Sequence, residues 1–111
     1  MNRPTRFYSN KQEKAVAKAV NGRQTANSGA TSFQKGDVVT DKVLIECKTC
    51  TDEKKSFSIK KEWLMKNKEE AFAMRKPYNA LAFNFGPNEP NYYIIDERLF
   101  KILLEACCND D

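Results

Sequence analysis

The 111-residue chain contains no histidine. That absence removes imidazole as general base or proton shuttle, and with it the histidine-bearing ligand sets of the usual zinc hydrolases. Any hydrolytic chemistry falls to carboxylates, lysines and water activated by a metal ion. Long apolar runs are missing too. Nothing approaches the ~20 residues that a membrane helix needs, and Met1 to Asn10 holds no apolar run of the kind a signal peptide carries. The expectation is a chain outside the membrane, in the cytoplasm, with its cysteines reduced. Internal repeats and low-complexity segments are also absent.

The four cysteines do not make a convincing metal set. Cys47 and Cys50 have the C-x-x-C spacing, but Cys107 and Cys108 are adjacent. In a helix their side chains diverge by about 100° and cannot easily chelate together. Cys47 falls in an apolar strand, where a free thiol serves as a small hydrophobe.

The length suits one domain with a modest core. A domain of this size buries roughly two-thirds of its unfolded surface. Nineteen Lys and Arg against fifteen Asp and Glu leave a net charge of +4 and a pI near 8.9. The basic residues dominate up to Lys61, while the tail Asn109-Asp110-Asp111 is acidic. A positive half of this kind permits a polyanionic partner without requiring one.

Residues 1–8 read as a loose arm. Ser9 and Gln12 form a capping-box pattern that opens a helix to about Val20, and Asn21-Gly22 ends it, with glycine expected in the left-handed turn. Glu13 falls on the apolar stripe of that helix, one turn before Val16 and Ala17. A polar loop over 21–35 is either functional or a surface excursion. Alternation then gives strands at Asp37–Val39, Val43 to about Thr49 and Ser56–Ile59. A helix from Lys60 to about Arg75 is stopped by Pro77; Asn67 sits unexplained on its apolar face. Strands at 79–85 and 92–95 follow. A last helix, capped by Asp96, runs to about Ala106 and is apolar around most of its circumference, which predicts cover from the sheet and from a second subunit. The order α-β-β-β-α-β-β-α predicts a single mixed α/β domain over residues 9–108.

The chemistry concentrates at Glu46-Cys47-Lys48. Strand side chains alternate, so Glu46 and Lys48 share a face and Cys47 takes the other. Counting about a Thr40-Asp41-Lys42 turn pairs Val39 with Val43 and Asp37 with Ile45, leaving Glu46 one step from Asp37. Two carboxylates with waters form an oxygen site suited to Mg²⁺ or Mn²⁺ rather than zinc. Lys48 beside them can orient water or stabilise charge on a phosphate.

In order along the chain stand Glu13, Arg23, Ser28-Gly29, Asp37 and Glu46-Cys47-Lys48. This series, within Lys11–Lys61, resembles the archaeal-type Holliday junction resolvases and their phage relatives, within the PD-(D/E)xK nucleases. Gly36 stands where a proline often precedes the Asp. The resemblance implies a restriction-endonuclease-like mixed central sheet flanked by helices. It also implies a homodimer that binds four-way DNA junctions in recombination and repair, and cuts them with Mg²⁺. It implies Asp37, Glu46 and Glu13 as metal ligands, Lys48 as catalytic base or phosphate stabiliser, and Ser28 and Arg23 near the scissile phosphate. Lys11, Lys14, Arg23, Lys35, Lys54, Lys55, Lys60 and Lys61 flank the acids and are candidate phosphate contacts. With no recognition helix or base-reading motif in the sequence, selectivity for DNA structure is expected over selectivity for sequence.

Overall fold

A computed structural model describes residues 5–25 and 37–108. The elements are α1 (Thr5–Val20), β1 (Arg23–Gln24), β2 (Asp37–Val39), β3 (Val43–Lys48), α2 (Lys61–Ala73), β4 (Tyr78–Phe83), β5 (Tyr92–Ile94) and α3 (Glu97–Cys108). They form a small α/β domain around one mixed sheet of order β1-β2-β3-β4-β5. The β3–β4 pair is parallel and the others are antiparallel. The parallel pair needs a crossover, which α2 provides.

The two faces of the sheet have different covers. Val16 of α1 packs with Val38, Ile45, Cys47, Ala80 and Ala82 on one face. Val39 and Leu44 meet Ala71 of α2 on the other. The strand period of two divides β3 between these cores, so its central residues are buried on both sides. Asn67 of α2 is buried within the second layer, where its Oδ1 accepts a hydrogen bond from Asn79 Nδ2 at 2.8 Å.

The structure places several elements differently from the sequence reading. Helix α1 starts at Thr5, so residues 5–8 of the expected arm are helical; residues 1–4 lie outside the described set. Ser9 is inside the helix, its Oγ donating back to Arg6 O at 3.1 Å, a local bond open to serine without ending a helix. Gln12 forms no capping box. Its Nε2 donates to Asn91 Oδ1 (3.1 Å) and its Oε1 accepts from Thr49 Oγ1 (2.7 Å), tying α1 to the segments after β3 and before β5.

Ser56–Ile59 forms no strand. Strand β3 is already paired on both edges, by β2 and by β4, and offers no ladder to join. The alternation serves burial instead: the Phe57 ring packs 4.9 Å from that of Phe83. The third strand of the predicted order is supplied by Arg23–Gln24, which pairs with β2.

At the end of α1 it is Asn21, not Gly22, that takes the left-handed conformation (φ 57°). The Gly22 amide donates to Ala17 O at 2.8 Å, closing the helix. Glycine is needed for a different reason. A Cβ there would lie 2.7 Å from the backbone oxygen of Val39. Gly22→Ala is expected to push α1 off β2 and cost about 1–3 kcal/mol, read as a lowered urea midpoint. An unchanged midpoint would mean that the chain does not approach β2 this closely. Helix α2 likewise ends at Ala73, with Arg75 at φ 60° and Lys76 N donating to Ala71 O.

Helix α3 is capped as the sequence indicates, Leu99 N donating to Asp96 Oδ1 at 2.9 Å. Its apolar surface is not covered by the sheet: Leu99 is its only buried residue. No helix among the described residues is long and apolar enough to cross a membrane.

Candidate functional site

The hairpin turn sets the geometry of the site. Thr40 N donates to Val43 O at 3.0 Å, so Thr40 and Val43 close over Asp41-Lys42. Thr40 Oγ1 accepts from the amides of Lys42 and Val43 and fixes the turn. Lys76 Nζ clamps it from outside through the Thr40 and Asp41 carbonyls. The turn is one residue shorter than the count of three used in the sequence reading, so every pair shifts by one. Val39 lies opposite Leu44, Val38 opposite Ile45, and Asp37 directly opposite Glu46. Directly opposed residues share a face with Cβ atoms about 5 Å apart. The two acidic residues therefore stand directly across from each other rather than one step apart as counted from the sequence.

Glu46 is 2% exposed. Lys48 Nζ lies 3.0 Å from its Oε2. The same ammonium sits 4.1 Å from the centroid of the Trp63 ring, and Lys60 Nζ lies 5.8 Å from that ring. Trp63 stands in the first turn of α2 and touches Phe57. Lys48 is thus held between a carboxylate and an aromatic face, the second contact contributing roughly 0.5–2 kcal/mol. The Asp37, Glu46 and Lys48 positions converge on the α2 face at one end of β2 and β3.

Glu13 does not join them. It is buried beneath α1, on the sheet face that carries Cys47, and accepts a hydrogen bond from Gln24 Nε2 at 3.1 Å. Among the described residues, no three Cys, Asp or Glu side chains gather closely enough to enclose a metal ion. The carboxylate triplet implied by resemblance is therefore a pair here, with Glu13 separated by the sheet. Burial raises the Glu13 pKa, and the Gln24 hydrogen bond and the Arg6 charge partly offset the rise. A raised carboxyl pKa means that stability is fully present below the ordinary value and is lost as pH rises through the folded one. Glu13→Gln is expected to melt above the wild type at pH 7, with the gap closing near pH 4. Thermal denaturation at both pH values checks this; a gap that does not change with pH would contradict a buried, ionisable Glu13.

Cys47 lies on the same face as Glu13. Burial first, then the charges of Glu13, Asp37 and Glu46, push its thiol far above the usual range. It is a packed thiol rather than a nucleophile or thiolate ligand. Cys50 is also buried, its Sγ donating to Asp52 O. Cys107 and Cys108 are exposed on α3.

The candidate phosphate contacts do not share one face: α1 covers the side of the sheet opposite Asp37 and Glu46. Lys11 and Lys14 are exposed on α1, with Lys11 donating to Asn88 Oδ1. Arg23 is exposed on the edge strand β1. Lys54 and Lys55 lie in the loop after β3, and Lys60 and Lys61 at the start of α2. Ser28, Gly29 and Lys35 lie outside the described residues. Gln24, which holds Glu13, and the seat of Lys48 on Trp63 were not identified from sequence. Fourteen residues lie between Lys48 and Trp63, through a loop whose path no periodicity reports. The nearest signal was an alternating Phe57 close before an aromatic first turn.

Searches for similarity to protein-family models, curated proteins and solved structures returned no match for this chain.

Proposed function

We propose that the chain is a Mg²⁺-dependent DNA endonuclease with a restriction-endonuclease-like domain, acting on branched DNA such as four-way junctions. The observation that carries this reading is the pairing of Asp37 with Glu46 on one face of the sheet, with Lys48 drawn onto Glu46. Two opposed carboxylates fit a hard cation of the Mg²⁺ class, which takes one or two carboxylates and completes its shell with water and phosphate oxygens. Asp37 and Glu46 would hold the ion; Glu13, on the other face, is not part of that set. When bound, the ion supplies positive charge at the phosphate and acidifies the attacking water.

The chain's own residues do the rest. Lys48, steadied by Trp63, stands beside the carboxylates to stabilise negative charge building on the phosphate. The exposed Lys54, Lys55, Lys60 and Lys61, in the loop after β3 and at the start of α2, attract the DNA backbone, and affinity is expected to fall steeply with salt. The order of Glu13, Arg23, Ser28, Asp37, Glu46 and Lys48 supports the resolvase class within the nucleases.

A DNA-binding module without catalysis is the second reading, favoured by the separation of Glu13 from the other acids. Labelled four-way junction, flap and linear duplex, each with Mg²⁺ and with EDTA, separate the possibilities. Paired cuts in the junction, dependent on Mg²⁺, are expected. Equal cutting of linear duplex removes the junction claim. Binding with no metal-dependent product at micromolar protein favours the non-catalytic module.

A further inference from the structure

A row of aromatic rings continues the carboxylate site across the sheet. Lys48 lies opposite Phe83 on β4, and Phe83 lies opposite Tyr92 on β5. Opposed residues share a face, so this row stands on the same side as Asp37, Glu46 and Leu81. The rings touch in succession. Phe57 joins Trp63 (6.3 Å between centroids) to Phe83 (4.9 Å). Phe83 and Phe85 both meet Tyr92, at 5.8 and 5.7 Å. Phe57, Trp63, Phe83 and Phe85 are only half-buried, and Tyr92, on the edge strand, is 50% exposed. Rings that served packing alone would be hidden; this strip keeps ring surface in water. Cations stand at both ends of it. The Lys48 and Lys60 ammonium groups lie over Trp63. At the other end Lys54 N donates to Phe85 O at 2.7 Å, which brings the Lys54-Lys55 segment beside that ring.

We propose that this strip is a stacking platform for unpaired bases of the DNA strand whose phosphate meets Lys48. Aromatic faces interleaved with cations suit a chain that alternates flat bases with negative phosphates. Asp52, Glu53 and Glu62 offset part of the nearby positive charge, so the rings rather than charge alone select the ligand. Tyr92 is two strands from Lys48, about 10 Å. Bases stacked there therefore belong to nucleotides close to the phosphate at Lys48. Inside a continuous duplex each base is covered by its neighbours. A branch point, flap or gap offers free base faces, and the strip gives those structures their advantage. The phosphate at Lys48 rests on the nuclease reading, whereas the stacking of bases stands on the strip itself.

Fluorescence anisotropy of a labelled oligothymidylate and of an abasic strand of the same length, both in EDTA, tests it. The two strands carry the same phosphates and differ in bases. The protein is expected to bind the thymine strand about ten-fold or more tightly than the abasic one. Tyr92→Leu keeps apolar bulk against Phe83 and Phe85 but has no ring. It is expected to lose about ten-fold for the thymine strand and nothing for the abasic strand. Tyr92→Phe, which restores the ring, is expected to bind both as the wild type does. Phe72→Ala, which removes an 84% exposed ring of α2 outside the strip, is expected to change neither. Equal affinity for the two strands would overturn the proposal. So would a Tyr92→Leu protein that still prefers the thymine strand as strongly as wild type, or one that weakens both strands alike. With the metal chelated no cutting enters the measurement. Metal-dependent cleavage without a preference for bases would remove the platform alone, and a preference for bases without cleavage would remove the nuclease alone.

Discussion

Glu46→Gln is expected to abolish Mg²⁺-dependent cleavage, by at least about 10³-fold, while leaving junction binding unchanged or tighter. The substitution keeps the shape and the oxygen that meets Lys48, and removes one of two opposed charges. Removing an interaction that stabilises transition-state charge costs on the order of 3–4 kcal/mol, which sets the rate loss. DNA binding runs the other way, because loss of the Glu46 charge frees Lys48, its ion-pair partner, to meet a phosphate. A second readout needs no substrate. A ligand that binds only the folded state stabilises it, by about 1.4 kcal/mol at ten times its Kd, worth roughly 5 °C or more in Tm for a domain of this size. Mg²⁺ should therefore raise the wild-type Tm and leave Glu46→Gln unmoved. An equal Mg²⁺ shift in both proteins would place the cation elsewhere and remove the chemical basis of the proposed function.

That prediction rests on a geometry only partly legible in the sequence. The alternation of Val43 to Lys48 was enough to place Glu46 and Lys48 together and Cys47 opposite, because strand period is a local property. The partner of Glu46 was missed by one residue. Register depends on which residues close the turn, and hydrogen bonds from the Lys42 and Val43 amides to Thr40 Oγ1 settle that here. Ser56–Ile59 has the pattern of a strand, yet strand formation depends on a free sheet edge, and β4 had taken the one beside β3. Glu13 was correctly read as lying on the packed stripe of its helix. Which sheet face receives that stripe is a tertiary fact, and it decides that Glu13 meets Gln24 and not Asp37. The breadth of the apolar surface on α3 was legible from composition, whereas its lack of cover by the sheet was not.

Leu44→Ala is expected to do the reverse of Glu46→Gln: lower stability severely and spare the chemistry. Leu44 is fully buried. It lies in the middle strand of the sheet, between Val39 on β2 and Asn79 on β4, and packs on Ala71 of α2. Truncating a side chain so placed costs about 2–5 kcal/mol, the lost transfer energy plus a cavity that the sheet ladders on either side cannot collapse. Against a total of about 5–15 kcal/mol for a native domain, this lowers Tm by roughly 10–20 °C. The placement of Glu46 survives, because the backbone ladder with Asp37 and Leu81 sets it and not the leucine side chain. Cleavage measured well below the new Tm should stay within about two-fold of wild type, since mutations that only make cavities leave oriented groups in place. A loss under about 1 kcal/mol would mean that α2 does not seal this face. Loss of activity at full folding would mean that α2, through Trp63, governs where Lys48 stands.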